Sequence, residues 1–163
     1  MNFVFYDLET TGRNTTWDQI IQVGAILVVD KFNEIERFEE RCRLRSGVVP
    51  EPGALIVNNT SIEMLNNVNL SHYELIKKVQ NIFNKWSPAI FIGYNTINFD
   101  EEFLRKTFFK LLFEPYITQF NGNRRIDVLG LARASKFYFP DCLKVALNEK
   151  GNQVFKLDQL TQL

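Results

Sequence analysis

Histidine is almost missing from this sequence: His72 is the only one. The two cysteines, Cys42 and Cys142, lie far apart. That spacing excludes both a zinc-type ligand cluster and a disulfide framework, and it suits reduced thiols in a cytoplasm. Charge of one sign is also lacking, since 19 Lys and Arg balance 19 Asp and Glu for a formal net charge of 0. The balance gives no support to a whole-molecule pull on nucleic acid, and a polyanionic partner would need a local patch. No apolar run approaches the roughly 18 residues of a membrane span. Asp7 and Glu9 follow the first apolar residues too closely for a secretory signal. What is present is globular composition, 45% hydrophobic and 23% charged, with 15 phenylalanines. At 163 residues this is enough for one domain with a real core.

Phe3 to Tyr6 is an aromatic and β-branched run that predicts a buried first strand. If it continues through Glu9, Asp7 and Glu9 project from one face, because side chains two apart along a strand point the same way. Thr10, Thr11 and Gly12 then turn the chain. Two adjacent carboxylates repel, and a hard divalent cation relieves the conflict. Taken alone, Asp-x-Glu is equally compatible with a solvated strand end.

Ile20 to Val29 predicts a long central strand, with Gly24 a bulge or a point of close approach. Glu34 to Leu44 suits a charged antiparallel edge strand, completing a three-strand meander. Gly47 to Gly53 reads as a loop. Thr60 to Glu63 and Ser71 to Glu74 both have capping-box form, the second with Leu70 and Leu75 at staple positions. Ile76, Val79, Ile82, Phe83 and Trp86 then mark an amphipathic helix ending before Pro88. Ala89 to Tyr94 predicts a strand parallel to the first, so the intervening helix is a crossover. Asn98 is expected to cap a helix with Glu101 as its reciprocal partner. Phe103, Leu104, Thr107, Phe108, Leu111 and Leu112 would form that helix's inner face. Asp100 falls in its first turn, where the positive dipole end tolerates an anion. Arg125 to Asp127 predicts a short last strand, with Asp127 capping a helix through Ala134. Pro140 to Gln153 reads as irregular. A helix begins near Phe155, and the chain stops at Leu163 without a terminator, as though cut. His72 is expected on the surface.

Asp7-Leu8-Glu9-Thr10, Gly93-Tyr94-Asn95 and Asn98-Phe99-Asp100 occur in an order that resembles the DEDD 3′→5′ exonuclease superfamily. Pro50 to Leu55, Glu114-Pro115-Tyr116 and Phe155 to Asp158 narrow the resemblance to the exonuclease domain of the exonuclease I family. It covers nearly the whole chain, and the chain reads as one such domain, residues 1–163. The resemblance implies an α/β, RNase H-like mixed sheet, a three-strand antiparallel meander plus parallel strands, flanked by helices. It implies hydrolysis of single-stranded DNA from the 3′ end, with Asp7, Glu9 and Asp100 as catalytic metal ligands. The cofactor implied is Mg²⁺, two ions per site, with Mn²⁺ as the alternative. Two such metals ~4 Å apart serve an in-line displacement. Arg105, Tyr116, Phe120 and Arg133 would line the strand path, and Lys156 stands where the family has a phosphate-contacting Arg. Lysine keeps the charge and loses the bidentate fork. Thr10 and Thr11 would meet the terminal nucleotide. A monomer is implied, in the cytoplasm, with a single-stranded-DNA-binding protein as partner and no membrane.

The sequence departs from the pattern at its end. The family's histidine branch places a general-base His a few residues before a fourth Asp, and nothing after residue 140 contains His. Asp127, Asp141 and Asp158 do not sit in that motif. The chain therefore reads as a C-terminally incomplete exonuclease domain, weakly active or inactive alone. Between Leu104 and Lys136 seven basic residues face two acidic ones, a surplus of five interleaved with aromatics. Such a stretch suits single strands gripped without sequence readout. Two alternatives stay open: another superfamily nuclease, proofreading or RNA-trimming, or a non-catalytic nucleic-acid-binding module.

Overall fold

A computed structural model describes residues 1–160. Its centre is a five-stranded sheet of β1 (Asn2–Thr10), β2 (Ile20–Val29), β3 (Asn33–Arg41), β4 (Ala89–Gly93) and β5 (Arg124–Asp127). The order is β3-β2-β1-β4-β5. The meander β1-β2-β3 is antiparallel, whereas β4 and β5 run parallel to β1. The expected mixed sheet is thus formed. The three parallel strands end along one edge, and their loops gather there.

Strand alternation divides β1 cleanly. Val4, Tyr6, Leu8 and Thr10 are buried, while Phe5, Asp7 and Glu9 turn to the other face. The even face packs under α3 (His72–Trp86) and α4 (Asp100–Lys110). Leu75, Ile76, Val79, Phe83 and Trp86 of α3 meet Phe103, Leu104 and Phe108 of α4 in one core. Each such fully buried large side chain contributes roughly 1.5–3 kcal/mol relative to exposure. The start of α3 is fixed by the expected capping box, with Ser71 and Glu74 bonded reciprocally.

Several expectations are corrected. The stretch read as a loop contains α1 (Pro52–Val57), because Pro52 occupies the first helical turn, where a missing N–H costs nothing. The short α2 (Ile62–Asn66) is capped by Ser61, which accepts from Met64 N, and not by Thr60. Gly24 is neither bulge nor close approach: among the described residues a Cβ there would meet nothing within 4 Å. The sheet's register shifts lie elsewhere, at Glu9/Thr10 and Leu27/Val28. His72 is 5% exposed, and among the described residues neither ring nitrogen has a hydrogen-bond partner. Burial, with Arg45 and Lys110 nearby, pushes its pKa down to about 4.

Helix α4 ends one residue before Leu111, and Leu112 is 93% exposed rather than on the inner face. Leu112 has φ 61°. Phe113 N donates to Phe108 O at 2.8 Å and Leu112 N to Phe109 O at 3.2 Å. This is the Schellman closure, with leucine at the left-handed position usually held by glycine. The accompanying apolar contact is Phe113 edge-on to Phe108.

Beyond β5, α5 (Val128–Tyr138) is capped by Asp127 as expected. The segment read as irregular holds a small pairing of β6 (Ala146–Leu147) with β7 (Gln153–Val154). A short α6 (Leu157–Leu160) follows. The expected helix beyond Leu160 lies outside the described residues. Both cysteines are free, Cys42 buried and Cys142 exposed. Cys42 is held by Ile20 O and Gln19, and burial pushes its thiol up to about 11. Among the described residues no helix is long and apolar enough to cross a membrane.

Candidate active site

Asp7 and Glu9 sit at the C-terminal end of β1, on the face away from the core. Opposite Asp7 in the register is Gly24, whose missing side chain leaves the ground in front of the carboxylate open. Asp100 arrives from the other direction, at the first position of α4. It is buried, and its Oδ1 accepts from Leu8 N at 3.1 Å, tying the helix start to the middle of the Asp7–Glu9 pair.

Burial first, then the Asp7 charge, pushes the Asp100 pKa up to about 8. Glu9 is raised by the same two causes in the same order, and Asp7 by burial although solvent reaches it. Asp7 is thus the shared repulsive neighbour of the other two. Among the described residues no three His, Cys, Asp or Glu side chains converge closely enough to hold a metal ion as they stand. In kind, three crowded carboxylates are the hard-oxygen donors that Mg²⁺ or Mn²⁺ takes. The donor set fits such an ion, and its charge would relieve the repulsion.

Glu101 was expected to reach back to Asn98. Instead it is buried in the core side of the helix start. Tyr6 Oη donates to it at 2.6 Å, Thr118 Oγ1 at 2.8 Å, and Arg125 lies at 3.3 Å. Adjacent residues of β1 and adjacent residues of α4 are therefore joined twice, Tyr6 to Glu101 and Leu8 to Asp100. Nor does Asn98 cap α4: it closes a 3₁₀ turn (Thr96–Asn98), and Phe99 is the cap residue without a side-chain bond. Sequence reasoning missed the Glu101 peg because its partners lie far away along the chain.

Two hollows flank the carboxylates. One, about 770 Å³, is lined by Glu9, Arg13, Ala54, Asn58, Asn95 and Asn98, among others. The other, about 570 Å³ and mostly apolar, runs from Asp7 past Ile92 and Tyr94 to Leu157. Tyr94 Oη donates to Phe155 O at 2.8 Å, holding the segment before Lys156 at the end of β4.

The remaining expected residues fall into separate groups. Thr10 and Thr11 follow Glu9 directly, but their hydroxyls turn inward, to Gly12 O at 2.7 Å and to Asp18 at 2.8 Å. A Cβ at Gly12 would meet the Asp18 carboxylate at 2.5 Å, so a larger residue there would displace the group that holds Thr11. Arg105, Tyr116 and Phe120 form one cluster, with the guanidinium 6.0 Å above the Tyr116 ring and Phe120 5.7 Å from it. Arg105 also pairs with Glu102. Arg133 lies 6.0 Å over the Phe155 ring, next to the exposed Lys156. Of the other basic residues, Lys106 and Lys110 bond to the Thr15–Thr16 loop, Arg125 pairs with Glu101, and Lys136 bonds to Pro140 O and Leu143 O. The cationic surplus is partly spent on holding the fold.

An acidic strand end, an acidic helix start and a mixed five-stranded sheet define a class. The sequence matches the exonuclease family (RNase_T) over residues 4–159, and the chain belongs to that family. Within it, the chain is 34% identical over 166 residues to exodeoxyribonuclease I of Buchnera aphidicola subsp. Schizaphis graminum, covering 99% of this chain and 34% of that protein. The structure of E. coli exonuclease I in complex with a dT13 oligonucleotide superposes with a TM-score of 0.90 at 26% identity, over 98% of this chain and 35% of that one. A complex of exonuclease I with an SSB C-terminal segment matches equally, with a TM-score of 0.90 at 26% identity, over 98% and 35%. The chain spans about a third of the length of these relatives.

Proposed function

We propose that this chain is the nucleolytic part of a metal-dependent 3′→5′ exonuclease acting on single-stranded DNA. The observation that supports the reading is the placing of Asp7 and Glu9 on the open face at the end of β1, with Asp100 bonded to Leu8 N between them. These three would hold the divalent ion, Mg²⁺ or alternatively Mn²⁺, which when bound supplies water activation and charge stabilisation at the leaving oxygen. The hollow beside Glu9 has room for a terminal nucleotide, and its lining includes the apolar Ala54 and Val57 and the amides of Asn95 and Asn98. The Arg105–Tyr116–Phe120 cluster and the Arg133–Phe155 pair offer the cation-plus-ring surfaces that single strands stack on. The family likeness supports DNA as the substrate and an SSB C-terminal segment as a partner, since relatives are seen with both.

His72 is shut in the core, so it does not serve as a general base. Working without a histidine base is expected to cost roughly 10²–10⁴-fold in rate, so hydrolysis by this chain is expected to be slow. The test is release of nucleotides from single-stranded DNA labelled at either end, with Mg²⁺ in excess and long incubation. Slow, metal-dependent loss from the 3′ end, abolished by Asp7→Ala, is the expected result. DNA binding with no metal-dependent cleavage would leave the binding-module reading standing, and preferential loss from RNA would redirect the substrate.

A further inference from the structure

We infer that Asp127, outside the acidic trio, is a positioning residue for the site: it holds the turn that delivers Asp100 and the Asn95–Asn98 wall. The inference rests on the metal-site reading above. Asp127 stands at the C-terminal end of β5, paired with Gly93 at the end of β4. Its carboxylate accepts three backbone N–H groups. Oδ1 takes Asn95 N at 2.9 Å and Leu129 N at 3.0 Å, and Oδ2 takes Ile97 N at 3.2 Å. Only the Leu129 bond belongs to capping α5. The other two reach across to the β4–α4 connection, five and three residues before Asp100.

That connection is held from outside. Asn95 has φ 61°, a left-handed conformation that asparagine tolerates better than other non-glycine residues, and its N–H is bonded to Asp127 in that conformation. The turn is already crowded on its inner side, where a Cβ on Gly93 would lie 2.0 Å from Thr96 Cγ2 and 3.1 Å from Tyr6 O. Thr96 is therefore pinned beneath Gly93, and Asp127 secures the residues on either side of it. Phe99, the residue before Asp100, brings no side-chain cap of its own. The last ordered step before the helix start is thus fixed from β5. A carboxylate is the only ordinary side chain that presents two acceptor oxygens at this reach with no donor among them.

The test compares the unaltered chain with Asp127→Asn, Asp127→Ser and Asp7→Asn, using Mn²⁺ as the probe and reading free Mn²⁺ by electron paramagnetic resonance. Asp127→Asn keeps an oxygen for Leu129 N and Asn95 N but sets an amide against Ile97 N–H. Asp127→Ser keeps a hydroxyl able to cap α5 but spans neither bond to the turn. Both are expected to weaken Mn²⁺ binding about tenfold with amide exchange accelerated at Ile97, while thermal midpoints of Asp127→Asn stay close to the unaltered chain. Mn²⁺ affinity equal to that of the unaltered chain in Asp127→Ser would reduce Asp127 to a helix cap and overturn the inference alone. Absent Mn²⁺ binding in the unaltered chain, or binding indifferent to Asp7→Asn, would overturn the metal-site reading and the inference with it.

Discussion

Helices α4 and α5 each contain 11 residues and each follows a parallel strand, yet they are held in opposite ways. Helix α4 buries Asp100, Glu101, Phe103, Leu104, Thr107 and Phe108. Helix α5 buries only Leu129, and leaves Leu131, Phe137 and Tyr138 exposed. The first is fixed along its length by core packing and at its start by two carboxylate contacts to β1. The second is fixed chiefly at its start, by Asp127. The candidate ligand sits on the helix whose position is set several times over, while the helix with surface to spare carries Arg133. The contrast suits the roles proposed for the two helices: a metal ligand would need its geometry held within a fraction of an ångström, and a strand-gripping surface would not.

The sharpest way to break the contrast is to cut the same side chain from both helices. Phe103 is 1% exposed and Phe137 is 79% exposed. Phe103→Ala should cost about 3–5 kcal/mol in urea unfolding, and Phe137→Ala should stay within about 0.5 kcal/mol. Equal losses would mean that α5 is packed as firmly as α4.

A somewhat smaller effect separates the chemistry from the packing. Asp100→Asn should reduce metal-dependent DNA hydrolysis by about 100-fold or more, comparable to losing a principal electrostatic group. The same variant should change how stability depends on pH. The folded chain keeps a proton on Asp100 up to about pH 8, against an ordinary value of 3.8. Stability from this group therefore falls as pH rises through that window, by up to about 1.4 kcal/mol per unit. His72, lowered from 6.5 to about 4, acts oppositely, since its neutral folded form gains stability as pH rises between those values. The two offset each other below pH 6.5. The net loss should then show between pH 6.5 and 8 as a falling thermal midpoint of the metal-free chain. Asp100→Asn should flatten most of that limb, and Mg²⁺ should flatten it in the unaltered chain. A midpoint constant over that interval would contradict the burial and crowding described for Asp100.

The smallest effect sharpens the picture of how α4 ends. Leu112 occupies a left-handed position with its side chain in solvent. Leu112→Gly should raise stability by about 1 kcal/mol, since leucine there bears a cost of that order. A loss on substitution would show that the exposed leucine makes a contact the helix end depends on.

Much of the frame was legible from residues close together in the sequence. The apolar run of β2, the Ser71–Glu74 box and the Asp127 cap each carry their signal within a few positions. The shared face of Asp7 and Glu9 needed only the two-residue period of a strand. What escaped was set by distant partners. Glu101 read as a local capping residue because Tyr6, Thr118 and Arg125 come to it only after folding. Asn98 read as a helix cap because the hold on its turn comes from β5. His72 read as exposed because a histidine after an N-cap is usually solvated, whereas here the helix start is driven into the core by Leu75 and Ile76. Pro52 read as a loop breaker although a first-turn proline permits a helix.

The placement of the two cysteines makes the chain its own labelled reporter. A thiol-reactive dye should attach to the exposed Cys142 alone while the fold is closed, because Cys42 is walled in and reluctant to form its thiolate. Incorporation of a second dye then clocks the opening of the β2–β3 edge, where Cys42 is anchored to Ile20 O and Gln19. Every variant above can be ranked for local opening with no added tag and no engineered residue.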